Sequence, residues 1–140
     1  MEEKSKMEQI KEWIETCPLL KGGKINVDYL KDKPQSYSID RTPVNPDMNN
    51  FIDGNGGKRQ IAFDFSVTAP ISSSKAIINL ANSKFCEDFT EWIKMQNRLK
   101  QFPKIKGAFS IKCTSPGYLL QKTETMAIYI IQMNFTYYEF

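Results

Sequence analysis

The 140-residue chain contains no histidine. That removes the commonest general base, the serine and cysteine triads and the usual zinc sites together, so any chemistry must come from thiols, carboxylates or loops. Cys17, Cys86 and Cys113 stand far apart and never in C-x-x-C spacing. This argues against a disulfide framework and a thiolate metal site, and it fits a reducing compartment. Cys86 falls at the start of a predicted helix, a position that can lower a thiol pKa. No third group is at hand to make it a nucleophile, and an idle buried thiol is the better reading. Gly54-Asn55-Gly56-Gly57-Lys58-Arg59 has the look of a phosphate loop. A Walker A motif, however, needs Ser or Thr where Arg59 stands and Gly in place of Ile52, so a loop tip is expected. Asp47, Asn49 and Asp53 with Gly54 lack the spacing and the closing glutamate of a calcium loop. Glu87, Asp88 and Glu91 share the polar face of a helix, where carboxylates are ordinarily solvated. The chain is therefore expected not to be an enzyme, and no catalytic residue, cofactor or metal ligand is assigned. One binding pattern remains: Lys100, Phe102, Lys104, Lys106 and Phe109, within Arg98 to Lys112, mix basic and aromatic residues as single-strand nucleic-acid binders do.

Composition narrows the class. A hydrophobic fraction of 41% with 25% charged residues is ordinary globular composition, and a single domain over 1–140 is expected. The net charge of +3, without a run of like charge, makes no concentrated basic face, so specific nucleic-acid binding is not expected. Met1-Glu2-Glu3-Lys4 lacks the apolar core of a signal peptide, and no stretch of about eighteen apolar residues occurs, so a soluble product with no membrane partner is expected.

The elements that must position these residues follow from periodicity. Met7, Ile10, Trp13, Ile14 and Cys17 predict a helix from Glu2 to about Thr16, ended before Pro18. Ile25, Val27 and Tyr29, then Tyr37 and Ile39, predict two short strands, joined as a hairpin around Lys31 to Pro34. Residues 41–60 read as a long loop, mobile in the monomer. Ile61, Phe63, Phe65 and Val67 predict a strand, closed by Pro70 and by Ser72-Ser73-Ser74, which offer helix caps. Ile77, Leu80 and Ala81 predict a short helix, Asn82-Ser83 a break, and Phe85, Phe89, Trp92, Ile93, Gln96 and Leu99 a second helix. Phe109, Ile111 and Cys113 predict another strand, turned at Ser115-Pro116-Gly117, after which Tyr118-Leu119-Leu120 leads through Lys122-Thr123-Glu124 into a final strand from Thr125 to Phe140. Trp13 and Trp92 sit on apolar stripes and are assigned to the core. The pattern predicts an α+β domain whose mostly antiparallel sheet of four to five strands has helices on one face.

The final strand carries the functional reading. Ala127, Tyr129, Ile131, Met133, Phe135 and Tyr137 form one apolar face, while Met126, Ile128 and Ile130 load the other before Gln132, Asn134 and Thr136 turn it polar. Helices can cover one side. The other is expected to be sealed by a neighbouring subunit, or else within the monomer.

Several segments, in order, resemble a family of small tail-completion, or minor capsid, proteins of phages and prophages of Gram-positive bacteria. The resemblance is carried by Ser38-Ile39-Asp40-Arg41-Thr42-Pro43-Val44-Asn45-Pro46, Asp53-Gly54, Lys58-Arg59-Gln60, the run from Phe85 to Asn97, Ser115-Pro116-Gly117-Tyr118-Leu119 and Tyr129-Ile130-Ile131-Gln132. It implies a tail-terminator-like α+β fold, a six-membered ring of identical subunits, a place in the virion at the head-proximal end of the tail, and assembly in the bacterial host cytoplasm. Its partners would be the tail-tube protein and the head-connector or stopper protein. The Gly-rich tip and the tail Tyr137-Tyr138-Glu139-Phe140 depart from the family pattern. Ile128, Ile130, Tyr138 and Phe140 are the candidates for the apolar part of the subunit contact, and Arg41, Asp53, Lys58 and Arg59 for its polar part. Two other readings stay open: another tail-tube or connector adaptor subunit, and an intracellular binding module with single-stranded nucleic acid as ligand.

Overall fold

Two long strands form the spine of the protein. The computed structural model describes residues 4–27, 36–70, 76–123 and 126–140. The order of elements is α1 (Lys6–Ile14), a 3-10 turn (Pro18–Leu20), β1 (Ile25–Val27), β2 (Ser36–Thr42), β3 (Asp47–Asn50), β4 (Gly57–Pro70), α2 (Ala76–Leu99), β5 (Ala108–Cys113), β6 (Tyr118–Lys122) and β7 (Met126–Glu139). β4 and β7, each 14 residues, pair antiparallel without a slip from Gly57 opposite Glu139 to Pro70 opposite Met126. Each flank of this pair carries two shorter strands end to end, β2 and β3 on β4, β5 and β6 on β7, with β1 beyond β2. The class is α+β with a mostly antiparallel sheet. Seven strands are found among the described residues, where four to five were expected.

Cross-strand pairs put Ile61 against Phe135, Phe63 against Met133 and Phe65 against Ile131 on one face. All six are at most 1% exposed, and they pack with Ile10 and Ile14 of α1 and Phe89 and Ile93 of α2 in one core. The helices join there through the Phe65–Phe89 stack (centroids 4.4 Å apart, planes 6° apart) and the Trp13–Trp92 pair at 5.0 Å. α1 is also tied to the loop after α2: the Trp13 indole N–H donates to the Gln101 carbonyl (3.1 Å) and the Gln9 amide to the Lys104 carbonyl (2.8 Å).

Four expectations change. α1 is shorter than Glu2 to Thr16, because the Ser5 hydroxyl accepts from the Glu8 N–H at 3.2 Å and so fixes the first turn. α2 runs through Asn82-Ser83 as one helix; these residues cost a helix interior only about half a kcal/mol each, and without Gly or Pro nothing enforces a break. β1 pairs parallel with β2, so the two are not a hairpin. The segment read as a loop over 41–60 holds the end of β2, all of β3 and the start of β4. Tyr29, the Lys31 to Pro34 turn, Ser72-Ser73-Ser74 and Thr125 lie outside the described residues, as do the side chains of Ile77, Leu80 and Ala81.

On the other face of the sheet, Asp40 of β2 stands directly opposite Asp64 of β4. Burial, then the charge of Asp40, raises the Asp64 carboxyl above its ordinary value of 3.8. A carboxyl with a raised folded-state pKa binds its proton more tightly folded than unfolded, so its ionisation costs stability as pH rises through that interval. Asp64→Asn should therefore raise the melting temperature at pH 7. The gain should shrink to nothing as pH falls below 3.8, in thermal melts run across pH.

Candidate assembly surface

The end of the spine where Gly57 meets Glu139 gathers a dense set of aromatic and basic side chains. Phe51, Tyr138 and Phe140 are mutual neighbours at 5.9–6.4 Å between centroids, and Phe109 meets Tyr138 edge-on at 5.2 Å. The Lys58 ammonium sits 4.8 Å over the Phe109 ring. Phe140 is 77% exposed, Phe109 47% and Ile52 fully so. Grouped apolar exposure of this kind marks contact surfaces on soluble proteins.

Local backbone devices build this tip. The Asp53 carboxylate accepts from the Asn55 N–H at 2.9 Å and the Gly54 N–H donates to the Phe51 carbonyl at 3.0 Å, closing the turn between β3 and β4. Gly56 has φ +95°, and any Cβ there would run into the Glu139 carbonyl. Only glycine lets β7 come so close. Arg59, with only 12% of its side chain exposed, then locks the strands together: its Nε lies 3.2 Å from Asp47 and 3.5 Å from Glu139, and its Nη1 donates to the Asn49 carbonyl and the Asn50 side-chain oxygen. Arg59→Ala should release β3 and the end of β7 for about 1 kcal/mol, since Asp47, Glu139, Asn49 and Asn50 are exposed and water replaces the lost partner. Amide exchange at Asp47–Asn50 and Tyr137–Glu139 should quicken while the α2 amides stay protected.

Of the eight residues expected at an interface, five meet here. Lys58, Tyr138 and Phe140 face outward, Arg59 is the clamp, and Asp53 shapes the turn. Arg41, exposed on β2, lies near enough with Arg59 to oppose the rise that burial and Glu139 impose on the Tyr137 phenol. Ile128 and Ile130 are not part of this cluster. They belong to the far half of β7, where Ile130 pairs with Ser66 and is only 7% exposed within the single chain, while Ile128 is half-buried. Ser36, Ser38, Ser66 and Thr68, on the same face, are buried too. The second face of the sheet is thus partly closed without a neighbour, and Ile130 leaves no surface for one.

Sequence reasoning missed Phe51, Ile52 and the outward turn of Phe109. Phe109 shares the alternation of Ile111 and Cys113, but a bulge between Ala108 and Ser110 turns it out of the core. It also missed how differently the two strands along β7 end. The outer edge of β5 is closed by Asn97 of α2, whose amide donates to the Ile111 carbonyl and whose oxygen accepts from the Ile111 N–H at 3.0 Å. β6 has no such guard among the described residues, and Tyr118, Leu119 and Leu120 are 37%, 45% and 56% exposed in a row.

Nothing in the geometry activates a thiol. Cys86 lies inside α2 instead of at a helix start, and burial, then Glu87, raises its pKa; burial holds Cys113 up at about 11. Among the described residues no helix is long and apolar enough to cross a membrane. No protein-family model and no curated protein matches the chain.

Proposed function

We propose that the chain is a structural protein of a phage or prophage tail, which closes with sister copies into a ring that completes the tail tube at its head-proximal end and docks the head connector. The observation that carries this reading is the pair of open apolar surfaces at opposite ends of one rigid spine, the Phe109–Phe140 tip and the Tyr118-Leu119-Leu120 edge. A subunit with different sticky surfaces at its two ends makes heterologous contacts, and such contacts give a ring when the rotation closes. The ordered resemblance from Ser38 to Gln132 supports the place in the tail. The apolar contact is assigned to Tyr138 and Phe140 with the β6 edge, and Ile130 is withdrawn from it. Lys58, Arg41 and Arg59 form its polar border, and the partners are a sister copy, the tail-tube protein and the connector.

The basic and aromatic tip also bears on the nucleic-acid reading. Stacking needs free ring faces. Here Lys58 occupies a face of Phe109 and Tyr138 is hemmed in by Phe51, Phe109 and Phe140, which leaves Phe140 alone with most of its ring open, so the tip is better suited to protein contact than to a stacked strand. Deleting the coding sequence from the genome that carries it should give tails of uncontrolled length, or tails detached from heads, in negative-stain micrographs. Particles with joined tails of normal length would overturn the reading.

A further inference from the structure

Beside the β6 edge, α2 and the turn at 114–117 enclose an open groove of about 470 Å³. One wall is acidic, with Glu87, Asp88 and Glu91; the other is apolar, with Pro116, Gly117 and Tyr129. Gly117 keeps the turn against the helix, since a Cβ there would lie 2.5 Å from that of Cys86. Lys84 and Lys94 reach Asp88 and Glu91 at 3.2 and 3.4 Å, but both pairs are exposed and weak, and Glu87 has no ion pair among the described residues. At the opposite end of the spine, Lys6, Lys58 and Lys106 border the aromatic tip, while of the acids there Asp47 and Glu139 are held by Arg59 and Asp53 accepts from the Asn55 N–H within the β3–β4 turn. The groove meets β7 at Tyr129 and the tip meets it at Glu139, so the two charged surfaces stand ten residues apart, roughly 33 Å of extended strand.

We propose that the aromatic tip of one copy, bordered by Lys58 and Lys106, docks in the groove of the next copy between α2 and the 114–117 turn, against Glu87 and Glu91. The inference rests on the ring reading and names its contact. The occupant is a second copy because the same molecule carries an apolar surface with a basic border at one end and an apolar wall beside an acidic one at the other. Apolar centres with complementary charged borders are the usual anatomy of a specific interface. The opposed placement makes the contact head-to-tail, and each added copy again presents one tip and one groove.

The test is a pair of charge reversals at surface positions. Glu87→Lys with Glu91→Lys makes the groove basic, and Lys58→Glu with Lys106→Glu makes the tip border acidic. Each double variant alone should assemble only at a concentration about tenfold or more above wild type. Mixed in equal amounts they should assemble again, in alternation, because each then offers the charge the other lacks. Circular dichroism identical to wild type establishes that each variant is folded. Wild-type assembly that neither variant weakens, or weakened assembly that mixing does not rescue, overturns this contact and leaves the ring standing. A wild-type chain that stays single at every concentration overturns the ring and the contact with it.

Discussion

Ile130→Asp should unfold the subunit, not merely dissociate it. Ile130 is 7% exposed on the face of the sheet opposite the helices, across from Ser66 on β4 and Tyr118 on β6. Removing a buried isoleucine side chain costs about 2–5 kcal/mol, and a carboxylate left there without a partner adds its own desolvation. A domain of this size holds about 5–15 kcal/mol in all. The melting transition followed at 222 nm should fall by roughly 10–20 °C, with little folded protein left at 37 °C. Ile130→Val should lose only about 0.5–1.5 kcal/mol and assemble as wild type does. A folded Ile130→Asp chain that melts normally but no longer assembles would contradict the placement of Ile130 in the monomer core and return it to the interface.

Phe89→Ala should be as severe for a different reason. Its ring is fully buried, lies parallel to Phe65 at 4.4 Å and touches Phe85 and Trp92 at 6.3 and 6.1 Å, so it is the bolt between α2 and the sheet. Truncation costs about 3–5 kcal/mol through lost transfer energy and the cavity left behind, and roughly 0.5–1.5 kcal/mol more for the aromatic pairing. Urea unfolding should show a midpoint lowered by more than a molar unit if the slope is about 2 kcal/mol per molar. Phe89→Leu should recover more than half of the loss. An alanine variant within about 1 kcal/mol of wild type would mean that the helix does not depend on this stack.

How far the sequence discloses this structure depends on whether a signal is local. The final strand is legible to within a residue or two at each end, because one apolar face runs unbroken at period two from Ala127 to Tyr137 and all of it but the half-buried Tyr129 is buried. The stripe of Phe85, Phe89, Trp92 and Ile93 discloses α2 in the same way. β3 is not legible: Asp47-Met48-Asn49-Asn50 has little strand preference, and it pairs because Arg59 and the close approach at Gly57 hold it to β4. The parallel pairing of β1 with β2 depends on the path of the chain between them, which alternation does not encode. At the tip, Lys58, Arg59, Tyr138 and Phe140 are legible as candidates from charge and aromaticity. Their convergence with Phe51 and Phe109 is set by the fourteen-pair register and one bulge. Ile130 misleads for the converse reason: an apolar residue on the second face reads the same whether a sister copy or the chain itself covers it.

The ring is the claim on which the proposed function stands, and light scattering over a concentration series of the wild-type chain tests it most directly. The account predicts a mass that rises with concentration to a plateau and goes no further, as a closed ring requires, and the family resemblance puts that plateau at six subunits. A mass of one subunit up to millimolar concentration would contradict it, and so would growth without a plateau.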